Sequence, residues 1–217
     1  MKKRIFDRTT LWTTIVILLP IVPALALYHR LPEEVAIHFN AQGVADGWAS
    51  RPVAILGLPL LLALVNLVMQ FALLTDPKRD TGSRIFTLSR WILAPVSVLT
   101  NTAILLIALA LPIRIERIIP LAISILFLAI GNYLPTCKQN YTIGIKIPWT
   151  LASEENWNKT HRLAGWVWTF ASLFLIVAIL AGVPAFPLFF AVTAIIVIVP
   201  IAYSYRLYRR GDPTDTL

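Results

Sequence analysis

The sequence has little of what soluble proteins use for cross-links or chemistry. Its 217 residues include one cysteine, Cys137, so no disulfide can form within the chain. Its three histidines are scattered and have no cysteine partners, which argues against a structural zinc site. There is no His-Glu-x-x-His pair, nucleophile elbow or P-loop, and no enzyme is expected. A minor enzymatic alternative rests on Glu155 and His161 doing acid-base work, although nothing supplies a nucleophile or a bound metal. Charge is also scarce, at 14% of residues against 58% hydrophobic, with a mean hydropathy of +0.75. A soluble fold could not bury so much apolar surface.

Instead the chain has six long apolar runs, at residues 9–28, 53–74, 91–111, 118–134, 163–182 and 186–205. A helix needs about 20 apolar residues to cross the hydrocarbon core of a bilayer. The runs are continuously apolar rather than alternating, which excludes a barrel and predicts an all-α integral membrane protein with six transmembrane helices. Lys and Arg in short loops stay on the cytoplasmic side. Fifteen of the nineteen fall on one side of this layout, leaving only Arg30, Arg51, Arg114 and Arg117 on the other. Both termini are therefore expected inside. The net charge of +8 follows from this topology and does not call for direct nucleic-acid binding, since the basic residues do not share a face. The first run is read as a retained helix bent at Pro20 and Pro23, not as a cleaved signal. Pro59, Pro95 and Pro200 are expected to act similarly elsewhere.

No Asp, Glu, Lys, Arg or His falls inside these runs, which counts against an ion- or proton-coupled pump. Asn66 and Gln70, one turn apart, are read as interhelical hydrogen-bonding groups. A transporter or flippase for an amphipathic peptide or lipid is the alternative that this pair and the proline-bent helices motivate.

Two loops are long enough to carry function. In the outer loop, 29–52, Val35, Ile37 and Phe39 alternate with Ala36, His38 and Asn40, predicting a short extended segment. Gly43 and Asp46-Gly47 are turn signals, and Trp48 suits the membrane interface. His38, Asn40 and Asp46 could offer metal ligands or could simply bond within the loop; the second is preferred, and no metal or other cofactor is assigned. In the inner loop, 135–162, Ile143, Ile145 and Ile147 alternate with Thr142, Gly144 and Lys146, again predicting an extended segment, closed by Pro148 and Trp149. Ser153 is expected to cap a helix that carries Glu154 and Glu155 in its first turn and places Trp157 and His161 on one face. Lys146, Trp149, Glu155, Trp157 and His161 are either a docking surface or an interfacial anchor.

At these loops the chain resembles the SdpI family of bacterial immunity proteins. The outer match comprises Pro32, Val35, His38, Phe39, Asn40, Gly43, Asp46 and Trp48, a pattern marking a domain of unknown function found at the start of many members. The inner match runs from Gly144 through Leu151, followed by Glu155, Trp157, Thr160, His161 and Arg162. The chain departs from the family at Lys146 and Ile147, where Arg-Thr is usual; lysine keeps the charge but loses the bidentate fork.

The resemblance implies a plasma-membrane protein, in contact with lipid, that gives immunity to a secreted peptide toxin of the SdpC kind. It also implies a possible second partner, an SdpR-like repressor held at the membrane. On this basis the candidate toxin-binding residues are His38, Phe39, Asn40, Asp46 and Trp48, and the candidate partner-binding residues are Lys146, Pro148, Trp149, Glu155, Trp157 and His161. Residues 1–90 are expected to form a two-helix unit and 91–217 a four-helix unit.

Overall fold

A computed structural model of the chain describes residues 7–211. Six helices are long and apolar enough to cross a membrane: Arg8–Ala26, Arg51–Thr75, Arg84–Ala108, Ile115–Thr136, Glu154–Leu180 and Ala185–Arg210. The protein is thus a multi-pass, mainly helical membrane protein, with one β-hairpin added. Several helices extend beyond the apolar runs and take in charged residues at their ends.

The chain divides into two compact units. The first contains residues up to 75 together with 89–119, so it holds the first two spans and most of the third. The first span is two helices, α1 (Arg8–Leu18) and α2 (Ile21–Ala26), broken next to Pro20 as the proline pattern predicts. Asp7 caps α1, accepting from the Thr10 amide at 2.9 Å. Beside the break, Ser97 Oγ donates to the Ile17 carbonyl at 2.8 Å. A long helix, α3 (Arg51–Thr75), forms the second span, and α4 (Arg84–Trp91) and α5 (Leu93–Ala108) form the third. The interruption at Ile92 falls just before Pro95, which cannot donate to the preceding turn.

One expectation is corrected here. Arg90 lies inside the third span and is buried. A test based on uncharged runs ends a span at its first charge and therefore cannot find a charge that is paired inside. Arg90 donates to Gln70 Oε1 at 2.7 Å, to Thr10 Oγ1 at 3.1 Å and to both carboxylate oxygens of Asp7. Gln70 returns a bond to the Arg90 carbonyl at 2.8 Å and reaches Asn66 and Thr13. Asn66 donates to Thr13 and Thr14. A lone arginine at the centre of a span costs about 2.5–3.5 kcal/mol, and this network offsets that cost by ringing the guanidinium with acceptors. The Arg90 hydrogen bond, with help from Thr10 and against the effect of burial, holds the Asp7 carboxyl well below the usual carboxylate range. Asn66 and Gln70 thus act as helix–helix bonding groups, as their spacing predicts.

The second unit contains 76–88 and the chain from 120 onward. Its spans are α6 (Ile115–Tyr133, beginning in the first unit and extended by a short 3-10 turn), α8 (Glu154–Leu180) and α9 (Ala185–Gly211). Leu175 and Ile179 of α8 pack against Ala185, Val192 and Ile196 of α9. At the other end of this pair Asn156 donates to the Ser204 carbonyl at 2.9 Å and accepts from Ser204 Oγ at 2.5 Å. A one-turn helix, α7 (Pro148–Ala152), precedes α8.

Candidate functional site

Between the first two spans the chain forms a hairpin of β1 (Glu34–Phe39) and β2 (Ala45–Ser50). The alternation in residues 35–40 predicts the first strand; the second carries no such pattern and is found only in the structure. Asn40 builds the turn, its side-chain oxygen accepting from the Gln42 and Val44 amides, each at 3.0 Å. Gly43 has φ +77°, and a Cβ there would crowd Glu116, so the turn requires glycine.

Asp46-Gly47 is not a turn. Both residues lie in β2, and Gly47 stands opposite His38, where a Cβ would come within 2.9 Å of His38 Cβ. The glycine makes room across the ladder for the histidine, in a stretch where the register is irregular.

Residues directly opposite one another share a face of the sheet. Val35 and Ala49 form one such pair, and Val35 is buried against Ala54 of α3 and Ile104 of α5, fastening the hairpin to the helices. Ala36 and Trp48 form the next pair, on the opposite face. There Trp48 is 56% exposed, and exposed His38 Nδ1 lies 2.5 Å from exposed Asp46 Oδ1. Phe39 and Asn40 are half-buried. Because Asn40 Oδ1 is occupied by the turn, His38, Asn40 and Asp46 do not converge as three free ligands. Among the described residues no group of three His, Cys, Asp or Glu could hold a metal ion.

The segment between the fourth and fifth spans is built differently. It forms no strand, and its isoleucines alternate for another reason: Ile143 and Ile145 pack against the core of Leu134, Cys137 and Trp157. Trp157 and His161 are fully buried and stack with ring centroids 4.1 Å apart. The Trp157 indole donates to the Cys137 carbonyl at 2.7 Å. The Ile145 amide donates to His161 Nε2 at 3.0 Å, while Nδ1 lies 2.8 Å from the Trp157 carbonyl. One ring nitrogen must therefore accept and the other donate, which assigns the neutral tautomer with its proton on Nδ1. Gly144, at φ +108°, passes so close that a Cβ would collide with His161 Nε2 and the Trp157 ring. Thr150 Oγ1 accepts from the Ile147 amide at 3.1 Å and lies 2.8 Å from the Ile145 carbonyl, closing the loop onto α7.

Residues that the sequence does not single out hold this segment from the other side. Asp76, just past the second span, is buried and accepts from the Tyr141 amide and from Thr142 Oγ1, both at 2.8 Å. Burial alone would raise its pKa, but bonds from Thr142, Lys78 and Tyr141 outweigh burial and leave it lowered. Asn140 Oδ1 accepts from the Thr142 and Ile143 amides at 2.9 and 2.6 Å. Burial pushes the Cys137 thiol up to about 11, against a weaker opposing bond from Asn140, so the group is a structural thiol and not a reactive one. A buried carboxylate that accepts from the backbone 65 positions away leaves no periodic signal in sequence.

Of the six inner candidates, Trp157 and His161 thus lie in the core. Ser153 caps α8 as predicted, accepting from the Asn156 amide at 3.2 Å. Lys146, Pro148 and Glu155 are exposed and Trp149 is half-buried. Glu155 pairs with Lys159 at 2.5 Å. Glu155 and His161 do not share a site, since the histidine has both nitrogens occupied within the core.

Residues 136–204 match the SdpI/YfhL protein family, and residues 15–63 match a Domain of unknown function (DUF1648). The chain is 28% identical over 169 residues to "Immunity protein SdpI" of Bacillus subtilis (strain 168), covering 76% of this chain and 75% of that protein. These matches bear out the resemblance read from the two motifs, and the hairpin and the Trp157–His161 segment each fall inside one of them. No solved structure matches the chain.

Proposed function

We propose that this chain, similar to the immunity protein SdpI, is a membrane immunity protein that protects its cell against a secreted SdpC-like peptide, with the hairpin as the toxin-facing surface. The excess of Lys and Arg in alternate loops favours both termini in the cytoplasm, with the hairpin outside and the Trp157–His161 segment inside. The observation that carries the reading is the division of labour in the hairpin. Val35, Asn40, Gly43 and Gly47 are used in building it, while His38, Asp46 and Trp48 stand exposed on it, bonded at most to each other. A polar pair beside an exposed indole suits an amphipathic peptide arriving at the bilayer surface.

Inside, Lys146, Trp149 and Glu155 offer the contact surface for an SdpR-like repressor, with Trp157 and His161 as positioning residues beneath them. The transport alternative gains nothing from Asn66 and Gln70, which are engaged with Thr13, Thr14 and Arg90.

The experiment is survival of a toxin-sensitive bacterium exposed to an SdpC-type peptide, at matched membrane levels of protein. Wild type should survive, while an empty vector and a His38→Ala/Asp46→Ala/Trp48→Ala variant should not. Survival of the variant would remove the hairpin from the mechanism, and death of the wild-type strain would refute immunity to that peptide.

A further inference from the structure

We propose that Trp168 is a positioning residue for Trp149: it supplies the hydrogen bond that Pro200 removes from α9, and so fixes the end of α9 on which Trp149 rests. Pro200 lies inside α9 and has no N–H to give. In a regular helix that N–H would bond to the carbonyl four residues earlier, which here belongs to Ile196. Ile196 is buried midway along the span, away from the water at either end, where an unpaired carbonyl is costly. The Trp168 indole N–H of α8 donates to this carbonyl at 3.1 Å.

Two other prolines lie inside long helices, Pro59 in α3 and Pro120 in α6. The carbonyls four residues before them, on Ile55 and Glu116, belong to the opening turns of their helices, so only Pro200 strands a carbonyl in mid-span. Among the described residues, Ile196 alone of the three accepts from a side chain. Trp168 is also seated for the task. Its ring meets that of Phe127 of α6 at 5.2 Å, edge to face, and a Cβ on Gly131 would come within 2.7 Å of Trp168 Cβ.

Helix α8 holds α9 again at Ser204, four residues beyond Pro200, through the paired bonds with Asn156, and Thr160 Oγ1 donates to the same Asn156 oxygen at 3.0 Å. The proline is thus bracketed by contacts at Ile196 and Ser204. The arm of α9 past Pro200 carries Trp149 of α7, whose ring centroid lies 5.4 Å from that of Tyr205 and 6.0 Å from that of Tyr208. Without the indole, the Ile196 carbonyl must find another donor, which α9 can offer only by rewinding the turn around Pro200. That rewinding moves Tyr205 and Tyr208, and Trp149 with them. The pairing of Trp168 with Pro200 stands without any partner protein; only its consequence rests on the reading of Trp149 as part of the inner contact surface.

The test is a double-mutant cycle on the full chain in detergent micelles. Trp168→Phe keeps a ring beside Phe127 but removes the donor, and Pro200→Ala returns a backbone N–H to Ile196. Trp168→Phe should lower the melting midpoint by about 5 °C in the wild-type background and by about 1 °C in the Pro200→Ala background. The indole N–H signals of isotope-labelled tryptophan give a second readout. That of Trp168 should exchange slowly with solvent deuterium in wild type and about tenfold faster in Pro200→Ala, where the backbone competes for Ile196. The Trp149 signal, identified by its loss in Trp149→Phe, should shift in Trp168→Phe as Tyr205 and Tyr208 move. Neither measurement includes a repressor, so failure of the docking reading would leave both outcomes unchanged. Equal melting losses in the two backgrounds would mean that the indole acts by packing alone and would overturn the pairing, as would fast exchange of the Trp168 indole in wild type. A Trp149 signal unmoved by Trp168→Phe would overturn the positioning role.

Discussion

The hairpin and the Trp157–His161 segment carry motifs of similar length but put them to opposite uses. In the hairpin three motif residues face outward: His38 and Asp46 bond to each other, and Trp48 is exposed. In the inner segment the signature residues face one another. Gly144 makes room for His161, His161 holds the Ile145 amide, Trp157 holds the Cys137 carbonyl and Thr150 closes the loop. A motif of the second kind preserves a shape; a motif of the first kind presents side chains that a shape does not need. Loss of fold and loss of function should therefore separate between the two regions.

The largest effect is expected at Gly144. Gly144→Ala forces a left-handed backbone on an L-residue and drives a methyl into His161, so a loss of about 2–4 kcal/mol is expected, read as a lower melting midpoint in detergent and less protein in the membrane. Gly182 is also at positive φ (+89°), but a Cβ added there would meet nothing within 4 Å, so it separates strain from collision. Gly182→Ala should cost about 1 kcal/mol. Equal effects at the two sites would mean that the closeness of Gly144 to His161 is immaterial.

His161→Phe comes next. It preserves the ring stack on Trp157 but leaves the Ile145 amide and the Trp157 carbonyl without their side-chain partner, for an expected loss of about 1–3 kcal/mol in the same melting assay. A loss confined to repressor contact, with the melting point unchanged, would move His161 from the core to the docking surface.

How much of this contrast is legible in the sequence depends on its range. Local signals read well: the six spans, the Pro20 break, the Ser153 cap, the first strand of the hairpin and the i, i+4 stack of Trp157 and His161 all rest on spacing within one or two turns. Non-local partners do not. Asp76 looks like an ordinary loop carboxylate until it is seen bonded to Tyr141 and Thr142, and Arg90 looks like a loop cation until Asp7 and Gln70 surround it. Gly47 reads as a turn residue because Asp-Gly most often marks a turn, and only the register shows that it makes room for His38. Exposure is equally silent in sequence, which is why Trp48 and Trp157, both in motifs, cannot be told apart there.

Asp76 gives the inner segment a pH dependence. Its folded pKa is lowered, so the stability it contributes is present above the unfolded value of about 3.9 and is lost as pH falls through the lower folded value. Melting midpoints should therefore be flat through neutral pH and decline in acid below about pH 4. Asp76→Asn should start lower by a loss on the order of 1 kcal/mol and show less of that decline. An identical acid decline in the variant would assign it to other carboxylates.

The smallest effect on stability should fall on the hairpin face, and that small effect is the informative one. His38→Ala and Trp48→Ala remove exposed side chains, one held only through the solvent-exposed His38–Asp46 pair, so each should shift stability by less than about 0.5 kcal/mol. Val35→Ala, on the opposite face and buried against Ala54 and Ile104, should cost about 1–2 kcal/mol. If the first two variants lose protection at an unchanged melting point while Val35→Ala loses melting point first, the outward face is a recognition surface carried by an independently folded hairpin. If all three lose both together, the hairpin motif is an internal lock like the inner one, and the toxin-facing surface must lie elsewhere.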